Sequence, residues 1–322
     1  MLTVEQHIGE HALATPNKLA IISGKQRVTY AELKARIIAA KNLFEKQAFY
    51  RKGASIIVAA NKQIGFVYAY FGAHMANLVV VPIDAETNPA RFAHIANAVN
   101  PICVIGFDKQ DTAIPKLSLK ELDNIEDASE TPDVIFPDSQ SVADILFTTG
   151  TTGAPKGVAL TYENEAAAAN NINSFIQNTS EDIELLALPI SHSFGLGRMR
   201  CCLSIGTTLI LMGSFVNVKR IFRTIEEENV TGFTMVPASW KFLQKVSGNE
   251  LAKYAPQIRY IEMGSAYLSE ADKRNLAELF PKTRVTMHYG LTEASRSAFM
   301  EFHDDKDALC SVGKASPNTD IQ

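Results

Sequence analysis

The chain has 322 residues, of which 46% are hydrophobic and 20% charged, and its formal net charge is −4. That length builds two or more packed subdomains around a large core. The slightly acidic balance, with no basic run or arginine stripe, excludes a chain organised for nucleic acid but leaves room for a local basic pocket on a phosphate ligand.

Residues 3–14 read as a short amphipathic helix, and residues 15–22 turn into a strand. Thr29, with Glu32 three residues on, forms a capping box. The helix it opens runs to about Phe44, with Leu33, Ile37, Ile38 and Leu43 on one apolar face. Strands follow at 54–60, 79–83 and 101–106, with helices at 64–76 and 89–98 between them. Alternation with short links implies a parallel sheet covered on both faces. Residues 108–141 are a polar connector with no assigned chemistry, and residues 142–147 are a buried strand. From residue 183 the pattern restarts, with strands at 183–188, 208–212, 232–236, 258–263 and 284–288. Helices are expected at 195–205, 218–228, 239–247 and 269–279. The result is two successive α/β blocks, whose ligands are expected at the carboxyl ends of the strands.

The first such strand runs into Phe147-Thr148-Thr149-Gly150-Thr151-Thr152-Gly153-Ala154-Pro155-Lys156-Gly157. Glycines let the backbone approach a ligand and turn its N–H groups inward. Threonine hydroxyls add donors, and Lys156 adds a full positive charge. With a strand before it and a helix expected after it, the stretch reads as a phosphate loop. It is not the G-x-x-x-x-G-K-S/T loop, because Pro155 and Gly157 fall on two of that pattern's fixed positions. Four further stretches sit at strand ends: Leu188 to Leu196, Val236 to Trp240, Gly264 to Ser269, and Tyr289 to Glu293. The cysteines Cys103, Cys201, Cys202 and Cys310 form no metal or redox spacing and read as reduced thiols of a cytosolic protein. Residues 1–7 lack the pattern of a signal peptide, and no apolar stretch reaches the ~18 residues of a membrane span. A cytoplasmic protein is expected, as a monomer or homodimer.

The Thr/Gly/Lys stretch resembles the phosphate loop of the adenylate-forming superfamily: acyl-CoA synthetases, luciferases and the adenylation domains of peptide synthetases. The family pattern is Y/F-T-S-G-S/T-T-G-x-P-K-G, and here Thr149 keeps the hydroxyl of the usual serine. The opening of the chain, Tyr289-Gly290-Leu291-Thr292-Glu293 and Gly264-Ser265-Ala266-Tyr267-Leu268 resemble the family too. The resemblance implies two doubly wound flavodoxin-like α/β subdomains plus part of a small β-barrel. Residues 1–50 would join 180–290, residues 51–179 would form the second subdomain, and 291–322 would begin the barrel. It further implies that Thr148, Thr149, Gly150, Thr151, Thr152, Gly153 and Lys156 hold ATP phosphates. Gly264, Ser265, Ala266, His288, Tyr289 and Gly290 would wall the adenine, and Thr292 would donate to the α-phosphate. Glu293 and Thr152 would hold Mg²⁺. The Asn or Gln that often stands two residues before the tyrosine is here Met287.

Pro189-Ile190-Ser191-His192-Ser193-Phe194-Gly195 resembles the acyl-CoA synthetase form of its motif. Amino-acid activators carry an aspartate nearby, whereas no carboxylate lies between Leu185 and Arg220. A buried ammonium without a partner is costly, so a carboxylic acid without an α-amino group is expected. His192 would gate or orient the acyl carboxylate. Phe194, Met199, Trp240 and Met263 would line the acyl pocket. The implied catalytic set is His192, Lys156, Thr292 and Glu293. The implied reaction joins the acid to ATP as an acyl-adenylate and then to a thiol, coenzyme A or alternatively a carrier-protein pantetheine. Family chains continue into a T-G-D motif and a lysine-bearing C-terminal lid domain. Neither is found here, so the expectation is an N-terminal region cut inside its barrel and weak as a ligase, or a binding module for nucleotide or acyl group.

Overall fold

The computed structural model describes residues 1–61, 63–127, 135–148 and 155–321. The chain divides into two compact units, one of residues 1–167 with 189–196, the other of 168–188 with 197–322.

In the first unit α1 (Val4–Ala14) is followed by the antiparallel pair β1 (Leu19–Ser23) and β2 (Gln26–Thr29). Helix α2 (Tyr30–Glu45) starts at the expected capping box: the Glu32 amide donates to Thr29 Oγ1 at 3.3 Å, and the Thr29 amide donates to Glu32 Oε2 at 2.8 Å. The unit continues through β3 (Ser55–Ala60), α3 (Ile64–Met75), β4 (Val79–Asp84), α4 (Pro89–Val99) and β5 (Cys103–Ile105). The polar connector contributes β6 (Lys116–Leu117) and α5 (Leu119–Asp123), and after it come β7 (Val142–Thr148), β8 (Lys156–Thr161) and the start of α6 (Tyr162–Ile176), whose residues from Ala168 on belong to the second unit. The sheet order is β6-β5-β3-β4-β7-β8. All neighbours are parallel except β7 and β8, which pair antiparallel from Val142↔Thr161 to Thr148↔Lys156. The sheet is therefore mixed, and strand β8 lies between the Thr/Gly stretch and the helix expected from Glu163. The β-branched residues of Val158–Thr161 favour a pleated edge, and the helix waits until Tyr162.

Helix α3 is buried on every side, and it carries a charge into the core. The His74 ring lies 2.8 Å from Glu5 Oε1 and 3.1 Å from Asp144 Oδ1, and the Tyr70 hydroxyl donates to Asp144 Oδ2 at 2.8 Å. Burial alone would drive the imidazole neutral. The two carboxylates outweigh it and raise the His74 pKa to about 10. A buried charge is tolerated when it is paired and hydrogen-bonded on both sides.

The second unit comprises β9 (Ile183–Leu186), most of α7 (Ser193–Ile205), β10 (Thr208–Leu211), α8 (Val218–Glu227), β11 (Gly232–Met235), α9 (Pro237–Ser247) and a 3₁₀ turn at Glu250–Tyr254. Then come β12 (Tyr260–Met263), α10 (Glu270–Leu279, capped by Ser269), β13 (Arg284–Tyr289), β14 (Ala298–Glu301) and β15 (Lys314–Ala315). Its strands run in the order β15-β14-β13-β12-β11-β9-β10, parallel from β10 to β13 and antiparallel at β14 and β15. One side is closed by a core of Ala169, Ile172, Ile176, Cys201, Tyr260 and Phe299. Phe175 stacks on Phe299 at 4.3 Å, and the Arg284 guanidinium lies 4.9 Å from the Phe175 ring. Full burial of a large apolar side chain such as Phe299 is worth about 1.5–3 kcal/mol. Among the described residues no helix is long and apolar enough to cross a membrane.

Candidate functional site

In the first unit, the strands that flank the Thr/Gly stretch place Thr148 opposite Lys156, with Lys156 exposed. Thr149, Gly150, Thr151, Thr152 and Gly153 lie outside the described residues. Helix α4 reaches both flanks of the stretch. Arg91 Nη2 donates to the Phe147 carbonyl at 3.4 Å, and His94 Nε2 lies 3.2 Å from the Pro155 carbonyl. Neither residue stood out in the sequence, because an arginine and a histidine on a polar helix face read as solvated.

His192 is exposed at the start of α7, where its carbonyl accepts the Leu196 amide at 3.0 Å. A Cβ on Gly195 would stand 2.3 Å from the Pro189 carbonyl oxygen. The proline and glycine of that motif therefore meet directly, and the tight turn between them presents His192 to solvent. Phe194, Met199, Trp240 and Met263 are all buried. Trp240 also holds a buried indole N–H without an acceptor among the described residues.

In the second unit the ends of β12 and β13 form a cleft of about 360 Å³. Ser265, Ala266, His288, Tyr289 and Gly290, the residues that the resemblance assigns to the adenine, line it. Gly264 abuts it: a Cβ there would lie 2.0 Å from the His288 ring, so only glycine lets the ring pack against that wall. Ser265 follows with φ 68°, and the Tyr289 side chain is 52% exposed. Met199, Trp240 and Met263 do not line this cleft. Thr292 and Glu293 stand just beyond it, in a turn closed by two backbone bonds between Leu291 and Ala294 (3.1 and 3.3 Å), with Glu293 exposed. The turn leads into β14 rather than a helix, since Arg296 at φ 52° breaks any helical run.

Two features of this cleft were not legible in the sequence. Lys273 of α10 lines it while 5% exposed, and its Nζ donates to the Leu309 carbonyl at 2.6 Å. Burial holds its ammonium below the usual lysine range. Behind the cleft lies a charged network. Glu262 Oε1 accepts from Arg296 Nε at 3.1 Å and sits 2.7 Å from His288 Nδ1, while Glu262 Oε2 lies 3.5 Å from Arg198 Nε. Arg198 also pairs with Glu184, which accepts the Tyr260 hydroxyl at 2.6 Å. Burial would raise the Glu262 pKa, but Arg296, His288 and Arg198 bring it far below the carboxylate range. Burial keeps His288 below the usual histidine range despite Glu262. The arrangement offers a concave surface with an exposed aromatic ring, a lysine and a histidine, beside the turn that carries Thr292 and the exposed Glu293 carboxylate.

Comparison with known proteins bears on both units. The chain is 26% identical over 323 residues to 4-coumarate–CoA ligase-like 9 of Arabidopsis thaliana, covering 93% of this chain and 56% of that protein. It is 25% identical over 283 residues to the D-alanine–D-alanyl carrier protein ligase of Streptococcus pyogenes, covering 84% of this chain and 54% of that protein. The chain thus spans little more than half the length of these relatives. Among solved structures, the inhibitor-bound N-terminal domain of FACL13 from Mycobacterium tuberculosis superposes with a TM-score of 0.87 at 25% identity, covering 98% of this chain and 83% of that one. The sequence profile of the AMP-binding enzyme family matches residues 8–322, and the chain belongs to that family.

Proposed function

We propose that the protein activates a carboxylic acid lacking an α-amino group, as its acyl-adenylate, and then passes the acyl group to the thiol of coenzyme A. The observation that carries the nucleotide part is the cleft at the ends of β12 and β13, where Ser265, Ala266, His288, Tyr289 and Gly290 converge. Its volume and exposed tyrosine ring suit a purine. The residues around 148–157, with Lys156, are assigned to the phosphates, and Thr292 to the α-phosphate. Among the described residues no three His, Cys, Asp or Glu gather into a metal cage. The exposed Glu293 carboxylate suits Mg²⁺, which commonly takes one or two protein carboxylates and fills its shell with phosphate oxygens and water. Such an ion would neutralise phosphate charge.

The acid's carboxylate oxygen attacks the α-phosphorus, the bond to the bridging oxygen breaks, and pyrophosphate leaves. The thiol sulfur then attacks the acyl carbon, and AMP leaves. The residues named here bind and orient the reactants and counter developing charge, with no covalent step of their own. His192, exposed beside its tight turn, is assigned to the reacting carboxylate. The absence of a carboxylate between Leu185 and Arg220 supports an acid without an ammonium group. A second acceptor, the pantetheine of a carrier protein, is favoured by the likeness to a carrier-protein ligase.

The test is exchange of labelled pyrophosphate into ATP across a panel of simple carboxylic acids and free amino acids. Exchange with simple acids alone is expected. Exchange with amino acids and none with simple acids would refute the substrate assignment.

A further inference from the structure

The turn that carries Thr292 and Glu293 is held from behind. Its chain doubles back so closely that a Cβ on Gly290 would lie 2.4 Å from the Arg296 amide nitrogen. Arg296 itself takes φ 52°, a left-handed conformation that side chains other than glycine and asparagine rarely adopt. Such a conformation persists where surrounding contacts over-determine it, and Arg296 has them. Its guanidinium is buried, with Nε donating to Glu262 Oε1 at 3.1 Å and Nη1 donating to Ser295 Oγ at 3.2 Å. Glu262 is fully buried on β12, and the oxygen that receives Arg296 also faces His288 Nδ1 at 2.7 Å. One carboxylate therefore ties the turn to a residue that lines the cleft. A buried ion pair contributes little net stability compared with apolar packing, but it fixes geometry, since a misplaced charge would be left unpaired.

We propose that Arg296 is a positioning residue: through Glu262 it sets the turn of residues 290–295 so that Thr292 and Glu293 meet a magnesium-bound nucleotide. The inference rests on the nucleotide reading above and adds to it a group that touches neither ligand nor metal. The cleft wall at 264–268 and Tyr289 would still bind a bare nucleoside without this latch, because Arg198 and His288 remain on Glu262.

Gly197 provides a second handle. It lies on α7, outside the cleft, and a Cβ there would stand 2.9 Å from Arg296 Nη1. Gly197→Ala improves helix propensity while pressing on the guanidinium.

The experiment measures affinity for adenosine, for ATP with EDTA and for ATP with Mg²⁺, in the wild-type chain, Arg296→Met and Gly197→Ala, with thermal melts to establish folding. In the wild type Mg²⁺ tightens ATP binding. In Arg296→Met that tightening should fall about fivefold or more, as coupling within one ion-pair network allows, with adenosine affinity unchanged. Gly197→Ala should move the same quantity in the same direction. A folded Arg296→Met that keeps the full Mg²⁺ effect overturns the proposal, as does an equal loss for adenosine and Mg²⁺-ATP. If Arg296→Met does not fold, Gly197→Ala decides by the same two criteria. A wild-type chain that binds neither adenosine nor ATP overturns the nucleotide reading and this inference with it. A wild type that binds both, with no change in either variant, overturns the inference alone.

Discussion

Trp240 has a buried indole N–H with no acceptor among the described residues. A buried donor left unmet costs about 1–3 kcal/mol, so a group that keeps one is suited to receive it from a ligand. On the acyl-pocket assignment, the acid carries an acceptor that reaches this N–H. Trp240→Phe, which removes the donor and keeps an aromatic ring, should leave the melting temperature unchanged or slightly raised and weaken acid-dependent pyrophosphate exchange. A drop of several degrees with unchanged exchange would make Trp240 a packing residue only. The tryptophan was visible in the sequence because it follows a strand-ending proline. Lys273 and Arg296 were not. Lys273 stands in a run that reads as a solvated helix face, and Arg296 finds Glu262 across 34 positions of sequence. Partners that distant are set by strand order, which a single sequence does not print.

At the scale of elements, the capping box of α2 and the alternation of strand and helix followed from local chemistry and apolar spacing, and both were legible. Strand β8 was obscured because its first residues belong to a Thr/Gly/Lys pattern that draws attention to ligand rather than to pairing. The Glu5–His74–Asp144 cluster was equally hidden, since it joins α1, α3 and β7. It makes stability depend on pH. His74 holds its proton in the folded state up to about 10 and releases it near ~6.5 when unfolded. Its contribution is therefore complete below about 6.5 and is lost as pH rises towards about 10. The melting temperature should fall from pH 7 to pH 10. His74→Gln should be less stable at pH 7 and nearly flat across that range. Glu5, held below the usual carboxylate value by His74 against the cost of burial, acts on the other side, with its contribution lost as pH falls through the carboxylate range. A wild type with no alkaline slope would contradict the charge assigned to His74.

For the molecule as a whole, the family was legible because the motifs at strand ends recur in register along the chain. The acid and the thiol acceptor are set by pocket shape and by partners, which short motifs do not encode. On the reading proposed above the chain binds ATP, with the cleft beside Tyr289 assigned to the base and, from the sequence motif alone, Lys156 assigned to the phosphates. The direct measurement is calorimetric titration of the chain with ATP and Mg²⁺, alongside Lys156→Ala and Tyr289→Ala. One site per chain is expected. Losing the Lys156 contact should cost about 1.5–3 kcal/mol, or roughly a tenfold to hundredfold loss of affinity. Tyr289→Ala should weaken ATP and adenosine alike. No binding by the wild type, or equal affinity in all three proteins, would contradict the account.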